Sequence, residues 1–256
     1  MPLFLAIIFI FMTNKISSKV NSPLLPATRL LTDAWNLYAY KLVDFIEMYV
    51  LGLFGLLPLL LLGILALVFF AWMHLNSWTI YLLFGVLGLA ALAWAIYYGT
   101  RAKIGLLLIL KNEKAKVREN FQASKSLFFP YFFISLATGV LIFLAFLLFI
   151  IPGIILSVFW SLVVILIVFE DKLTFKTATK RSCELIKGYW WPVFGRFLII
   201  GVLATIVALI MNIPMNYLSE IGKQAYSFVV NIFWALLSPL FVTYTYLLYK
   251  DLLSKK

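Results

Sequence analysis

A chain of 256 residues carries a single histidine, His74, and a single cysteine, Cys183. A zinc-type site needs three or four such ligands, so these two fall short of one. One cysteine closes no internal disulfide. Ten acids remain for acid–base or metal chemistry, and among them only Glu170 and Asp171 adjoin each other. That pair stands just before a segment of helical pattern, where carboxylates favour the positive end of the helix dipole. It reads as capping rather than as a metal shell. Cys183 has basic neighbours of the kind that lower a thiol pKa, yet it falls beside an apolar stripe and reads as packing. His74 lies between two apolar runs and reads as a polar residue of a short turn. No catalytic residue, metal or cofactor is expected from these groups.

The elements that position them are set by composition. The chain is 64% hydrophobic and 12% charged, against about 45–50% and about 25% in an average soluble domain. Too few polar residues remain to cover a soluble surface, so lipid must be the solvent for much of it. The net charge of +11 raises nucleic acid as a partner. The Lys and Arg residues cluster beside apolar runs, however, which points to membrane orientation instead.

A bilayer core of about 30 Å takes roughly 20 apolar residues as helix. The runs predict span 1 over 49–72, span 2 over 78–98, span 5 over 193–213 and span 6 over 228–249. The apolar run from Phe128 to Phe169 is too long for one crossing. Pro152-Gly153 favours a tight turn, which predicts span 3 over 131–151 and span 4 over 153–169. A β-barrel would alternate apolar and polar residues, and these runs do not. The expectation is an all-α polytopic protein, six spans in three hairpins, forming one membrane domain over residues 24–256. Residues 1–23 read as an extension. Its apolar run, Leu3 to Met12, is too short to cross, and it lacks the preceding charge and cleavage site of a signal peptide.

Charge sets the orientation. Four Lys or Arg precede span 1, seven follow span 2, six lie between spans 4 and 5, and three follow span 6. Only Lys223 lies on the opposite side, so the split is 20 to 1. Positive charge marks the cytoplasmic side, which predicts cytoplasmic N- and C-termini in a cell membrane.

The segments on that side are patterned. After Thr174, an N-cap candidate, Phe175, Ala178, Ser182, Leu185, Ile186 and Tyr189 repeat at helical spacing, with Lys176, Lys180, Glu184 and Lys187 opposite. Such a helix lies at the interface, its lysines toward anionic headgroups. Lys176, Lys180, Arg181 and Lys187 are therefore candidate lipid contacts. A second helix begins near Pro26 and aligns Leu30, Ala34, Leu37, Tyr38, Leu42 and Phe45; a third runs from about Lys114 to Phe128. Each precedes a helical hairpin, although residue similarity between the three units is slight.

Ile150-Ile151-Pro152-Gly153-Ile154-Ile155-Leu156 followed by Trp160-Ser161 resembles a signature of the glycerophosphoryl diester phosphodiesterase membrane domain family. Ala178-Thr179-Lys180-Arg181-Ser182-Cys183-Glu184-Leu185-Ile186-Lys187-Gly188-Tyr189-Trp190 resembles its next stretch, with Cys183 where the family usually has Trp. Pro239 to Asp251 resembles its close, and the likeness covers residues 24 to 253. It marks Pro152, Gly153, Trp160, Arg181, Ser182, Gly188, Trp190 and Pro239 as motif positions of structural character. The resemblance implies a stand-alone membrane part without the catalytic barrel of some relatives, and no catalytic residue carries over from it.

Transport chemistry favours ionisable residues near mid-bilayer, and none is found. Arg101, Lys103 and Arg196 lie near span ends, where long side chains snorkel. Pro58, Asn231, Ser238 and Pro239 are the polar or helix-breaking residues inside spans, and the prolines read as kinks. Gly153, Ser157 and Ser161 form a small-residue face of the kind that packs helices. The leading expectation is a non-enzymatic bacterial or archaeal inner-membrane protein, an accessory module in lipid or envelope processes with membrane lipids as partners. The alternative is a transporter or export factor with a cavity between hairpins. A membrane enzyme acting on phospholipid is a third, weaker reading. A lipid chain among spans 4 to 6 favours the lipid role; a water-accessible cavity favours transport.

Overall fold

A computed structural model describes residues 23–73, 78–170 and 173–256. The expectations for the N-terminal apolar run, for His74 and for Asp171 lie outside the described residues. The protein is all-α, and no strand occurs among the described residues. The helices are α1 (Ala27–Tyr40), α2 (Leu42–Leu53), α3 (Leu57–Met73), α4 (Trp78–Lys111), α5 (Val117–Leu148), α6 (Ile150–Phe159), α7 (Val163–Phe169), α8 (Phe175–Ile186), α9 (Trp190–Asn212) and α10 (Glu220–Leu253). A 3-10 turn, Phe54–Leu56, joins α2 to α3, and another, Ile213–Tyr217, follows α9. Among the described residues, six stretches are long and apolar enough to cross a membrane: Leu42–Phe69, Ile80–Lys111, Val117–Leu148, Ile150–Phe169, Trp190–Tyr217 and Glu220–Leu253.

The helices outrun the spans expected from hydropathy. α4 and α10 each have 34 residues and α5 has 32, about 50 Å at 1.5 Å per residue, against a bilayer core of about 30 Å. The third patterned segment and span 3 are thus one continuous helix, α5, with Pro130 inside it. The extra length has a destination. On α4 most large side chains from Trp78 to Ile96 are exposed, whereas Ala102, Ile104 and Leu106 to Leu110 are buried. On α10 Phe228, Val229, Ile232, Phe233 and Leu236 are exposed, whereas Leu240, Tyr244, Leu248 and Leu252 are buried. Each long helix presents one half to lipid and packs the other, at the Lys- and Arg-rich end, against the shorter helices.

The contacts divide the chain into two compact units. One is Lys41–Phe132. In it α2 lies on α4, with Phe45 and Met48 buried. A Cβ on Gly105 would collide with the Met48 side chain, so glycine there sets how closely the two helices approach. Arg101 is 8% exposed. Its Nε donates to Ser124 Oγ (3.2 Å), its Nη2 to the Phe121 carbonyl (2.6 Å), and its guanidinium sits 4.1 Å from the Phe121 ring centre.

The other unit holds Phe133–Lys256 with the segment up to Tyr40. Here α1 lies antiparallel along the packed half of α10. Leu25 N donates to Asp251 Oδ2 at one end (2.8 Å), and Tyr38 Oη donates to the Leu236 carbonyl at the other (2.9 Å). The stripe Leu30, Ala34, Tyr38 is therefore buried on protein. The helix expected near Pro26 also breaks earlier than its pattern implied, at Lys41.

The turn between spans 3 and 4 differs from the expectation. Pro152 and Gly153 are inside α6, and the break falls at Phe149, whose backbone is extended (φ −158°, ψ 143°). Proline fits the first turn of a helix because its missing N–H has no intrahelical partner there. Gly153 is buried because the Phe146 ring lies where a Cβ would be. The Pro-Gly pair thus starts the helix and packs it, and does not make the turn.

Candidate functional site

Between α6 and α7 the chain makes a turn at Trp160, Ser161 and Leu162. The C-terminal carbonyls of a helix have no intrahelical donors. α8 supplies one: Ser182 Oγ donates to the Phe159 carbonyl over 2.6 Å. Beside it the Trp160 ring stands edge-on to Phe175 at 5.8 Å and hydrogen-bonds Cys183. The Arg181 Nε–Glu170 Oε1 contact, 3.1 Å, ties the same helix to the end of α7. Trp160, Arg181 and Ser182, distant in sequence, are thereby brought together around α8.

Thr174 caps α8, and Thr177 completes a capping box with it. Glu170 is held by Arg181 instead of capping. Ala178, Ser182, Leu185 and Ile186 are fully buried, and Thr179 joins them. The stripe rests on protein, chiefly α7 and α6, where a surface helix would have rested it on lipid. Lys176 and Lys180 point outward, and Lys180 lies 3.9 Å from Glu184. Lys187 is half-buried, and its carbonyl accepts from Lys256 Nζ at 3.3 Å.

Burial pushes the Cys183 thiol up to about 11, outweighing the Trp160 hydrogen bond, and Glu184 raises it further. The thiol therefore stays protonated at neutral pH, opposite to the direction its basic neighbours implied.

Gly188 has φ 86°. Lys187 precedes it at φ −55°, ψ 126°, and Tyr189 N donates to the Ile186 carbonyl at 2.8 Å. This is a type II turn, whose third residue must take positive φ. Trp190 opens α9 and stacks on Phe194 at 5.2 Å, and its Nε1 is buried without a partner. Pro239 is apart from this cluster, buried within α10. A proline frees the carbonyl four residues earlier, and Ser238 Oγ donates to that carbonyl, of Ala235, at 3.0 Å. The next carbonyl, Leu236, is the one that receives Tyr38.

Near Pro239 a cavity of about 370 Å³ opens between α1, α9 and α10. Leu31, Trp35, Ile200, Ala204, Leu240 and Phe241 are among its walls, and Thr32 is its one polar side chain. α9 and α10 touch each other little along this stretch. At the charged end of the cavity sits a clamp that sequence reasoning missed. Leu25 donates its N–H to Asp251 Oδ2, and its carbonyl accepts from Arg196 Nη2. Arg196 Nη1 donates to the Pro192 carbonyl at 2.8 Å, and Tyr244 Oη donates to the Arg196 carbonyl at 3.3 Å. One signal was present: Arg196 shares a helical face with Ile200, Leu203, Ala204 and Val207. The partners on α1 and α10 left no such mark.

Among the described residues, no group of three or more His, Cys, Asp or Glu is placed to hold a metal ion. No protein-family model, curated protein or solved structure matches the chain.

Proposed function

We propose that the protein is a non-catalytic module of the cell membrane, with both termini in the cytoplasm, that serves lipid or envelope processes by holding a lipid chain between its fifth and sixth spans. The cavity among α1, α9 and α10 carries this reading. Its volume falls in the range of about 300–1,000 Å³ typical of ligand sites. Its lining is apolar except for Thr32, which suits hydrocarbon and offers little to a hydrated solute. That favours a lipid role over transport.

The orientation rests on the 20-to-1 split of Lys and Arg. Lys176 and Lys180, on the exposed side of α8, with Arg181 and Lys187 beside them, would meet anionic headgroups of that leaflet. The kinship with the glycerophosphoryl diester phosphodiesterase membrane domain family is likewise proposed. Its support is that Trp160, Arg181, Ser182 and Gly188 each have a definite structural task around α8.

The test uses bilayers doped with phosphatidylcholine spin-labelled in mid-chain. The intact protein is expected to slow a fraction of the label, and Ala204→Trp, which fills the cavity, to release that fraction. An unchanged spectrum in a variant of normal helicity would overturn the reading.

A further inference from the structure

The cavity has a charged end, and that end has unused hydrogen-bonding capacity. On α9, Arg196 stands one turn before Ile200, on the face that continues through Leu203, Ala204 and Val207 into the cavity wall. Its contacts on α10 and on the segment before α1 show the same offset. Leu25 precedes the lining residues Leu31 and Thr32 on α1, and Tyr244 follows Leu240 and Phe241 on α10. The register of α9, of α10 and of the segment leading into α1 therefore places Arg196 beyond the end of the cavity nearest the Lys- and Arg-rich side.

Among the described residues no carboxylate lies within ion-pair distance of Arg196. Asp251, which shares Leu25 with Arg196, is engaged by the Leu25 N–H. Two guanidinium nitrogens donate to backbone carbonyls, while Nε is buried with no partner at all. A buried donor left unpaired is costly. An apolar cavity about 10 Å long by helix rise from Ile200 to Val207, with an arginine that has no carboxylate partner one helical turn beyond Ile200, has the complementarity of an anionic amphiphile.

Building on the lipid-holding reading, we infer that the occupant is an anionic phospholipid, its acyl chain in the cavity and its phosphodiester on the Arg196 guanidinium. The planar fork of arginine suits phosphate oxygens. The depth also agrees: the last turns of a span before its charged end are where headgroups lie. Arg101 likewise has no carboxylate partner among the described residues, but its guanidinium is taken up by Ser124, the Phe121 carbonyl and the Phe121 ring, so it carries no site.

The experiment compares phosphatidylglycerol and phosphatidylcholine bearing the same mid-chain spin label, in bilayers containing the full-length protein. The intact protein is expected to slow phosphatidylglycerol preferentially. Arg196→Gln should lower that preference by about fivefold or more, whereas Ala204→Trp should release both lipids. Arg196→Lys should keep part of the preference. If Arg196→Gln keeps the preference in full, the inference falls and the cavity reading stands. If Ala204→Trp releases neither lipid, the cavity reading falls and takes the inference with it. Arg196→Gln also loosens Leu25, so a second measurement uses the unaltered protein. Its preference for phosphatidylglycerol should weaken with rising salt, and a salt-insensitive preference would overturn the inference. Inorganic phosphate, which has no chain, should not displace the labelled lipid; displacement would assign a free-phosphate site instead.

Discussion

Ser182 and Phe159 are joined by a 2.6 Å hydrogen bond from the serine hydroxyl to the phenylalanine carbonyl. The bond lets a membrane-spanning segment end one helix and begin another without exposing a carbonyl to hydrocarbon, where an unsatisfied group is costly. It also fixes α8 against the α6–α7 turn. Ser182→Ala should lower stability by about 1–3 kcal/mol, the cost of leaving a buried acceptor unpaired. Thermal unfolding in detergent measures it. Ser161→Ala is the control: its hydroxyl bonds only the Val158 carbonyl of its own turn, so its loss should cost much less.

Gly188 occupies the positive-φ position of the turn that leads α8 into α9. Gly188→Ala places a Cβ in left-handed backbone and should cost about 1–2 kcal/mol. Gly188→Asn should cost less, because Asn tolerates that conformation better. Equal melting temperatures for the three proteins would show that the turn relaxes freely.

The raised Cys183 thiol makes alkylation pH-dependent in a definite sense. At pH 8 a shift from 9.0 to about 11 leaves about 100-fold less thiolate in the folded protein than in the unfolded chain. Folded protein should alkylate slowly at pH 8, accelerate as the pH approaches 11, and react fast at pH 8 once denatured. The same shift leaves stability unaffected below pH 9 and lowers it as the pH rises through about 11, because ionisation is then easier in the unfolded chain.

Reporter fusions after residues 75 and 222 should read as outside, and fusions after 115, 180 and 254 as inside. An outside reading at 180 would require the basic connection between spans 4 and 5 to be translocated and would overturn the six-span topology.

Purified protein should release no glycerol phosphate from glycerophosphodiesters, with divalent metal supplied. Hydrolysis needs groups that activate water and stabilise charge on the phosphoryl oxygens. Glu170, the described half of the only acidic pair, is already engaged by Arg181. Turnover that survives repurification and disappears in Glu170→Ala/Asp171→Ala would restore a lipid-enzyme reading.

The sequence by itself determined that the chain is helical and spans a membrane, because a long apolar run in lipid must satisfy its backbone internally and helix is the local way to do so. It also determined which face of α8 is apolar and where its N-cap falls, since both depend on residues within a turn or two. Only the tertiary structure decided what those faces meet. The stripe on α8 reads equally well for lipid and for protein, because hydrocarbon and a leucine side chain are alike to an apolar surface. Its burial depends on α6 and α7, which pack against it. The turn assigned to Pro152-Gly153 falls at Phe149 for a related reason: whether proline ends a helix or begins one depends on which side of it packs, and here the Phe146 ring occupies the space that Gly153 leaves. The clamp of Leu25 between Asp251 and Arg196 joins residues up to 226 positions apart, a separation at which no local pattern reports contact. The cavity between α1, α9 and α10 is a matter of packing three surfaces, which a linear sequence does not record.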